Sequence, residues 1–523
     1  MSPISPPSGI SPDSVPPALS SGDATRKHIR GSSLLVAGKL ISTAISFVSQ
    51  VLIVRYLSTT SYGALALGLS VVTFWHMFST FGLHRAIPRF IPIYDERREY
   101  GKIFGTILLV LACVAVTLLV ITTLVFVVPR SFFGLMTDNE QAIAIIAILV
   151  FLIPLQSLDE MMVSLFASLA SARLIFFRTH IVAPGLKLIV VAVLILAKAD
   201  VVFLAYGYVL SGLLGTAVYA LVLLRVLAKR HLLERFSWAQ MNMPVKEMFS
   251  FSLPVLTSDL VASSVMTSLA AVIVGYFHST TEVAFFRVAV PAAHMNMLVM
   301  TSFSVLFTPS AARLFARKDF AGINDLYWKT TVWLAVMTFP IFVVTFSTSS
   351  SLTLLLFGER YAPSAAILAL LALGYYFNVA LGLNAQTLRV FGNVQYILAI
   401  NLVSALLGLL VCFLLIPRFG ALGAAVSTTA TLIVRNLLTQ IGLGSVTGVS
   451  TFEARYLKFY AAILGSALML FAIEARMSLP IPLAFGLAAL LSLIVFLAGR
   501  RTLDVPKMFP ELLRFRFVRL IVG

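Results

Sequence analysis

Charged residues are scarce in this sequence. Asp, Glu, Lys and Arg make up only 11% of the 523 residues, whereas 59% are hydrophobic, and a water-soluble fold could not bury so much apolar surface. Runs of about 20 mainly apolar residues recur along nearly the whole chain, and each can cross roughly 30 Å of hydrocarbon. Backbone polar groups in lipid must be satisfied within their own segment, so these runs predict helices. We therefore expect an all-α integral membrane protein.

Cysteine is nearly absent too. Cys113 and Cys412 lie in separate apolar runs without metal-ligand spacing, which excludes a disulfide framework and a cysteine-based zinc site. The sequence also lacks a Walker A lysine loop, a zinc-binding helix and a nucleophile elbow. Since no connection between apolar runs exceeds about 25 residues, no soluble catalytic domain is inserted. We expect a protein that is not an enzyme, with no catalytic residues, no metal site and no cofactor.

Acidic residues are few relative to basic ones. The 38 Lys and Arg residues against 21 Asp and Glu residues give a net charge of +17. The basic residues lie in short segments between apolar runs and form no stripe on a soluble domain, so nucleic acid is not the expected partner. Membrane topology accounts for the excess, because basic residues are retained on the cytoplasmic side.

Hydropathy predicts about fourteen transmembrane helices. The first six span residues 33–57, 62–90, 103–128, 141–169, 174–196 and 202–226. The next six span 249–277, 283–309, 330–346, 364–386, 394–416 and 421–443, and two more span 456–473 and 479–497. With the N-terminus in the cytoplasm, about 29 of the 38 basic residues fall in cytoplasmic connections, tails and adjoining helix ends. This asymmetry predicts a multi-pass protein of the cell (plasma or inner) membrane with both termini in the cytoplasm.

The two groups of six helices resemble each other at an offset of 220 residues. Val54, Tyr56 and Leu57 match Val274, Tyr276 and Phe277, and Pro88 matches Pro309 at an offset of 221. An even number of helices per copy gives parallel copies related by an axis along the membrane normal. The sequence thus predicts two six-helix lobes with this pseudo-two-fold relation, a central cavity between them, two added C-terminal helices, and transport by alternating access.

The repeat divides the chain into six parts. We expect a disordered cytoplasmic tail over 1–30, an N-terminal lobe over 31–228, a cytoplasmic linker over 229–248 and a C-terminal lobe over 249–445, followed by helices 13 and 14 over 446–499 and a basic cytoplasmic tail over 500–523. The first 25 residues contain six prolines and seven serines, a composition that buries too little apolar area to fold. Since no apolar core follows a basic start there, the first helix is expected to be an uncleaved anchor.

Polar side chains inside the predicted helices are the candidates for a substrate cavity, because ionisable groups at membrane depth need partners or water. One stripe on helix 1 and a matching one on helix 7 follow helical spacing. The candidates are Lys39, Ser42, Thr43, Ser46, Gln50, His76, Thr80, Lys187, Asp259, Ser263, Thr267, Arg287 and His294. At the 220 offset Lys39 aligns with Asp259, so Lys39 could either line the cavity and meet an anionic head group or form a structural ion pair with Asp259.

The opening GKLISTAISFVSQVLIVRYLSTTSYGALALGLSVV, residues 38–72, resembles the polysaccharide transporter family, the oligosaccharide and O-antigen flippases. Its polar-striped first helix, Arg55, the short turn and the pair Tyr62 and Gly63 carry the resemblance. The segment NVQYILAINLVSALLGLLVCFLLIPRFGALGAAVSTT, residues 393–429, is similar to that family's helix 11 to 12 region. Together the two segments cover about a seventh of the chain.

The resemblance implies the multidrug/oligosaccharidyl-lipid/polysaccharide exporter superfamily. It implies two lobes around a V-shaped cavity and the flipping of a polyprenyl-(pyro)phosphate-linked oligosaccharide from the inner to the outer leaflet. Cationic groups such as Lys39, Lys187 and Arg287 would hold the phosphate, and hydroxyl stripes would bond the sugar. The partners implied are the lipid-linked oligosaccharide, membrane lipid and other proteins of polysaccharide assembly, with the transporter a monomer. A coupling ion, Na⁺ or H⁺, is left open.

Three other functions stay open on the sequence alone. A multidrug or cation antiporter of the same superfamily would need acidic cavity residues, for which Asp259 is the one good candidate. A lipid-linked peptidoglycan-precursor flippase would share the fourteen helices. A membrane polysaccharide polymerase would need a sizeable outer loop carrying catalytic residues, and the outer loops here are short and nearly uncharged.

Overall fold

A computed structural model gives the architecture, and it describes residues 21–79, 81–126, 137, 139–169, 172–235, 237–260, 263–477 and 479–503. In these residues the chain is all-helical, as predicted. We number the transmembrane helices α1 to α14 in chain order and mark the two parts of a broken helix a and b. The first six are α1 (Ser21–Tyr56), α2a (Thr59–Ser79), α2b (Leu83–Glu96), α3 (Tyr100–Phe126), α4a (Glu140–Leu149), α4b (Leu152–Leu169), α5 (Ala172–Phe176, Phe177–Val182 and Ala183–Leu196) and α6 (Val201–Lys229).

The second half repeats this layout. Its helices are α7a (Val245–Leu260), α7b (Ser263–Phe277), α8a (Thr280–His294), α8b (Leu298–Ala316), α9 (Phe320–Phe346), α10a (Ser364–Ala380), α10b (Asn384–Val390) and the continuous element Val394–Thr447, which comprises α11 and α12. A short helix, Ser349–Phe357, lies between α9 and α10a, and α13 (Leu457–Met477) and α14 (Ile481–Leu503) complete the chain.

The helix count agrees with the sequence prediction. Twelve helices in the described residues are long and apolar enough to cross a membrane. One of them, Val394–Thr447, is bent at Gly420 (φ 53°) and corresponds to predicted helices 11 and 12. Predicted helix 7 corresponds to the shorter apolar helix Val265–Phe277 together with α7a. The predicted fold class, an all-α membrane protein with about fourteen transmembrane helices, is therefore confirmed.

Several helices are broken where hydropathy predicted one continuous span. Helix α2 changes direction at Phe81 and Gly82, which both have positive φ, and α10 does so at Gly382 (φ 72°). Helix α5 contains a π-helical segment, Phe177–Val182, and such segments are frequent at functional sites. Helix α1 begins at Ser21, earlier than the predicted start at residue 33. Apolar periodicity does not report breaks of this kind, because both parts of a broken helix remain in lipid.

One extended hydrophobic core joins the two halves at one end of the molecule, and smaller clusters lie at the other end. The shared core joins Val54 and Leu57 at the end of α1 to Val283 and Ala284 at the start of α8a. One of these clusters lies around α2b, α3 and α4b and includes Met248 of α7a, and another lies around α8b, α9 and α10. A small third cluster joins Met77 of α2a to Leu256 and Val265 of α7. The lobes are thus packed together at the end where α1 finishes, which the charge pattern predicts to be the outer side.

Helices α13 and α14 lie on the second half. Ile463 and Ala467 of α13 and Ala488 of α14 are buried in one cluster with residues of α9 and α10. The Ser347 hydroxyl between α9 and the short helix donates a 2.7 Å hydrogen bond to the Ala467 carbonyl. The added pair is therefore packed outside the two-lobe contact, as the six-plus-six-plus-two prediction requires.

Candidate functional site

A cavity of about 220 Å³ lies between the two halves near the shared core. Four helices of the first half and one of the second line it. The lining residues are Ser46, Ser49, Gln50 and Ile53 on α1, Tyr62, Leu65, Ala66 and Leu69 on α2a, Pro184 and Lys187 on α5, Tyr208 on α6, and Arg287, Val290 and Pro291 on α8a. Four of the predicted site residues, Ser46, Gln50, Lys187 and Arg287, therefore meet in one cavity.

Two cationic side chains, Lys187 and Arg287, line this cavity. Lys187 is exposed where it lines the cavity, and its Nζ lies 5.7 Å from the centroid of the Tyr208 ring. Arg287, on α8a of the second half, also lines the cavity and is partly buried. Among the described residues, neither side chain has a carboxylate oxygen within 4.0 Å, whereas eight other pairs do. Two cations at membrane depth, with no carboxylate beside them in the part of the chain that the structure describes, create a site suited to an anion.

Hydroxyl and amide groups surround the two cations. The Gln50 side-chain nitrogen donates a 3.0 Å hydrogen bond to the Tyr62 hydroxyl. Ser49 is buried and bonds back to the Ile45 carbonyl at 2.8 Å, whereas Ser46, one turn earlier on α1, is exposed. The wall thus offers one charged region and an adjacent neutral polar surface, which is the chemistry needed to bind a phosphate joined to a hydroxyl-rich group.

The N-terminal part of the helix 1 stripe lies below this cavity, between the halves. The hydroxyls of Ser42 and Thr43 donate to the Lys39 carbonyl at 3.0 and 2.7 Å, and Ser42 Oγ lies 3.1 Å from His180 Nδ1 on the π-helical segment. Lys39 is exposed, and its charge interacts with both His180 and His294. Since His180 belongs to the first half and His294 to the second, Lys39 lies in the cleft that separates them.

The π-helical segment of α5 can approach α1 closely because residue 38 is a glycine. A Cβ atom on Gly38 would lie 2.6 Å from a ring carbon of His180 and 2.7 Å from Phe176. Only glycine allows this approach, and the approach is what brings Ser42 within reach of the His180 ring.

A polar group in the second half was missed by the sequence reasoning. Tyr375 on α10a is buried; its ring contacts the His294 ring edge-on at 5.2 Å, and its hydroxyl bonds the buried Thr267. Arg287 and Arg435 both interact electrostatically with this tyrosine. Tyr375 therefore interacts with three predicted site residues and also with Arg435, a cationic residue that was not predicted. The three are His294, Thr267 and Arg287.

Arg435 on α12 is the other residue that was missed. One of its terminal nitrogens donates to the Asn378 side-chain oxygen at 3.2 Å, and Asn436 donates to the same oxygen at 2.6 Å. The charge pattern assigned Arg435 to a helix end, although it lies eight residues inside the predicted boundary at 443. Its distance in residues from the predicted helix end, considered together with its charge, could have identified Arg435 as a residue inside the membrane.

His76 lies apart from the 220 Å³ cavity. Its Nε2 is 3.7 Å from a carboxylate oxygen of Glu160 on α4b, and His84 Nδ1 is 3.5 Å from the same oxygen. The neighbouring Asp159 forms an ion pair with buried Arg178. The contacts of His76 thus join helices within the first half, which is the usual role of a histidine between membrane helices.

Three predicted site residues cannot be placed. Thr80 and the side chains of Asp259 and Ser263 lie outside the described residues, so the pairing of Lys39 with Asp259 stays a prediction. Within the described residues, no group of three His, Cys, Asp or Glu side chains could hold a metal ion.

Comparison with known proteins gives both a family and a fold. Residues 28–315 match the family model described as polysaccharide biosynthesis protein. The "Putative O-antigen transporter" of Shigella flexneri is 22% identical over 421 residues, which are 79% of this chain and 96% of that protein. An uncharacterised membrane protein of Methanocaldococcus jannaschii is 19% identical over 419 residues, covering 77% of this chain and 81% of its own.

Two solved structures have the same fold. The lipid II flippase MurJ in an inward closed conformation has a TM-score of 0.68 at 16% identity and covers 90% of this chain and 99% of its own. An inward-facing multidrug resistance MATE family transporter of the MOP superfamily has a TM-score of 0.62 at 13% identity and covers 78% and 96%. At these identities the likeness concerns the fold.

Proposed function

This chain belongs to the polysaccharide biosynthesis protein family, and from that membership we propose that it flips a polyprenyl-(pyro)phosphate-linked oligosaccharide from the inner to the outer leaflet by alternating access. The observation that carries the proposal is the pair Lys187 and Arg287, which face one cavity between the halves without a carboxylate within 4.0 Å among the described residues. A (pyro)phosphate supplies the missing negative charge.

The position of the cavity supports the same function. It lies where the two halves meet, so a change in their contact would change its access from one side to the other. The cleft that leads to it carries Lys39 at the end predicted to be cytoplasmic. An anionic head group would meet Lys39 first and then Lys187 and Arg287, with its sugars against Ser46, Gln50 and Tyr62. The lipid tail would remain in the bilayer, bordered by α13 and α14.

The charge of the cavity weighs against the cation antiporter. A cationic drug or coupling cation would be repelled by Lys187 and Arg287 unless a carboxylate lay beside them. A peptidoglycan precursor also carries an anionic pyrophosphate, so the cavity charge does not separate it from an oligosaccharide lipid. The two differ in the group attached to the phosphate, and the experiment must therefore vary that group.

Reconstitution into liposomes tests the proposal. A fluorescent polyprenyl-pyrophosphate oligosaccharide and a matched peptide-bearing precursor are incorporated in parallel, and leaflet exchange is followed by quenching with a membrane-impermeant reductant. We expect exchange of the oligosaccharide lipid, with rates at least about tenfold lower in Lys187→Ala and Arg287→Ala, because each removes a charged hydrogen-bond donor. The matched control is Lys229→Ala, which removes an exposed lysine at the end of α6.

The outcomes discriminate between the candidates. Exchange confined to the peptide-bearing lipid would assign the protein to peptidoglycan-precursor flipping. No exchange of any lipid-linked glycan, together with uptake of a soluble cationic drug, would overturn the proposal. Imposed Na⁺ and pH gradients in the same liposomes test which ion, if any, is coupled.

We further propose that the protein lies in the cell membrane as a monomer, with both termini in the cytoplasm. The charge asymmetry of the connections supports this orientation. Reporter fusions after Thr447 and Gly499 and at both termini test it, because all four positions lie on the cytoplasmic side if the fourteen helices cross in order. A reporter active on the outer side at either terminus would contradict it.

A further inference from the structure

Two arginines connect the halves at the closed end of the cavity. In the last turn of α1, Arg55 Nε donates a 2.8 Å hydrogen bond to the Leu356 carbonyl, and its terminal nitrogen donates to the Leu355 carbonyl. In return, one terminal nitrogen of Arg360, just after the short helix Ser349–Phe357, donates to the carbonyls of Val54 and Arg55, both at 2.6 Å. Each arginine therefore binds the end of a helix in the opposite half.

These carbonyls are the ones that most need a partner. The last four carbonyls of a helix have no donor within the helix, and the helix dipole makes that end partly negative. Helix α1 ends at Tyr56 and the short helix ends at Phe357, so both ends lie within this contact. Within the described residues, the hydrogen bonds between α1 and the second half are those made by Arg55 and Arg360.

From this reciprocal arrangement we infer that Arg55 and Arg360 form a clasp that holds the two halves closed on the side predicted to be external. Both arginines are exposed, and among the described residues neither has a carboxylate within 4.0 Å. Their bonds to carbonyls can therefore be exchanged for bonds to water at a small cost when the halves separate. A buried ion pair would be far harder to open.

Aromatic contacts next to the clasp also hold the two halves together, but they do not fix the relative position of the helix ends. The Tyr361 ring lies edge-on to Tyr62 of the first half at 6.2 Å and to Phe285 of the second at 6.3 Å. Such rings can slide against each other, whereas a guanidinium bonded to two carbonyls fixes the register of the two helix ends. The clasp thus selects one closed arrangement of the outer side.

The inference rests on the proposed alternating access, but its test needs no substrate. Ser46→Cys, introduced with Cys113→Ser and Cys412→Ser, places a thiol in the cavity wall. A membrane-impermeant maleimide applied from the external side reaches this thiol only when the outer end opens. We expect the external labelling rate to rise about tenfold in Arg55→Ala or Arg360→Ala, and labelling from the opposite side to fall.

Controls separate the clasp from general loosening. Arg418→Ala removes another exposed arginine on the same side, one whose side chain has no hydrogen bond or ion pair among the described residues, and it should leave the rate unchanged. Arg55→Lys keeps the charge but not the planar fork and should give an intermediate rate. If an alanine variant is not monodisperse after purification, the lysine variants of both positions carry the test.

Unchanged external labelling in both clasp variants would overturn the inference, and so would an equal rise in Arg418→Ala. Failure of the lipid-flipping experiment with the labelling changes intact would instead reject the substrate and leave the clasp in place.

Discussion

The hydroxyls of Thr60 and Thr281 lie 3.5 Å apart, and the two threonines occupy equivalent positions in the two halves. Thr60 is the second residue of α2a, which follows Ser58, and Thr281 is the second residue of α8a, which follows Ser279. Each serine side chain accepts a hydrogen bond from a backbone N–H in the first turn. Equivalent residues can contact each other only close to an axis that relates the halves, so this pair marks the pseudo-two-fold.

The approach at this axis depends on Gly63. A Cβ atom there would lie 1.8 Å from the Thr280 carbonyl oxygen across the contact between the halves. We predict that Gly63→Ala pushes the halves apart and lowers the free energy of unfolding by about 2 kcal/mol, the usual cost of overpacking a close contact. Thermal unfolding of the purified protein measures it.

Gly465→Ala is the matched control for that substitution. Gly465 also lies in a helix, α13, and a Cβ there meets nothing within 4 Å. It should leave stability unchanged or raise it slightly, since alanine favours helix over glycine by up to about 1 kcal/mol. Equal melting temperatures for the two variants would show that the halves do not touch at Gly63.

The Asp159 and Arg178 pair predicts a different stability effect. Arg178 is 5% exposed and its guanidinium lies 4.7 Å above the Tyr219 ring, so it depends on Asp159 for charge balance. We expect Asp159→Asn to destabilise the protein by about 3 kcal/mol because it leaves a buried charge without its partner. The double variant Asp159→Asn with Arg178→Met should recover most of that loss, and chemical or thermal unfolding measures both.

A third prediction concerns the turn between α11 and α12. The Glu282 carboxylate accepts a 2.9 Å hydrogen bond from the Ala421 backbone N–H at the start of α12, where Gly420 has a positive φ of 53°. Glu282→Gln should cost about 1 kcal/mol by removing the charge from a helix N-terminus. Gly420→Ala should cost more, because its Cβ would lie 2.7 Å from that carboxylate. If both variants unfold at the wild-type temperature, Glu282 does not stabilise the turn.

Much of this architecture could be predicted from the sequence, because the signals were strong and local. Lipid requires long apolar helices, and charge is partitioned by the membrane, so helix number and order follow from hydropathy and from the positions of Lys and Arg. Lys187 and Arg287 were named as cavity candidates because they are ionisable groups inside predicted helices, and both line the cavity of about 220 Å³. The breaks at Gly82 and Gly382 were not predictable, since apolar residues continue through both.

The site was harder to predict than the fold. Tyr375 and Arg435 were missed because a tyrosine is common in membrane helices and the arginine was counted as part of a helix end. His76 was grouped with the cavity by its polarity, yet its orientation on α2a directs it to Glu160 within the first half. Helical periodicity gives the face on which a residue lies but not the helix that the face meets.

The role of Lys39 can be decided by a pair of substitutions. Its charge interacts with His180 and His294 on opposite sides of the cleft, which favours contact with a head group entering between the halves. We therefore expect Lys39→Ala to lower the rate of oligosaccharide-lipid exchange in liposomes about tenfold. The double variant Lys39→Ala with Asp259→Ala should exchange the lipid no faster than Lys39→Ala alone. If Lys39 instead serves an ion pair with Asp259, the double variant should exchange lipid faster than Lys39→Ala alone, because removing both charges relieves the unpaired one. Lys39→Arg keeps the charge and should retain most of the rate, whereas recovery in the double variant would reject the head-group contact.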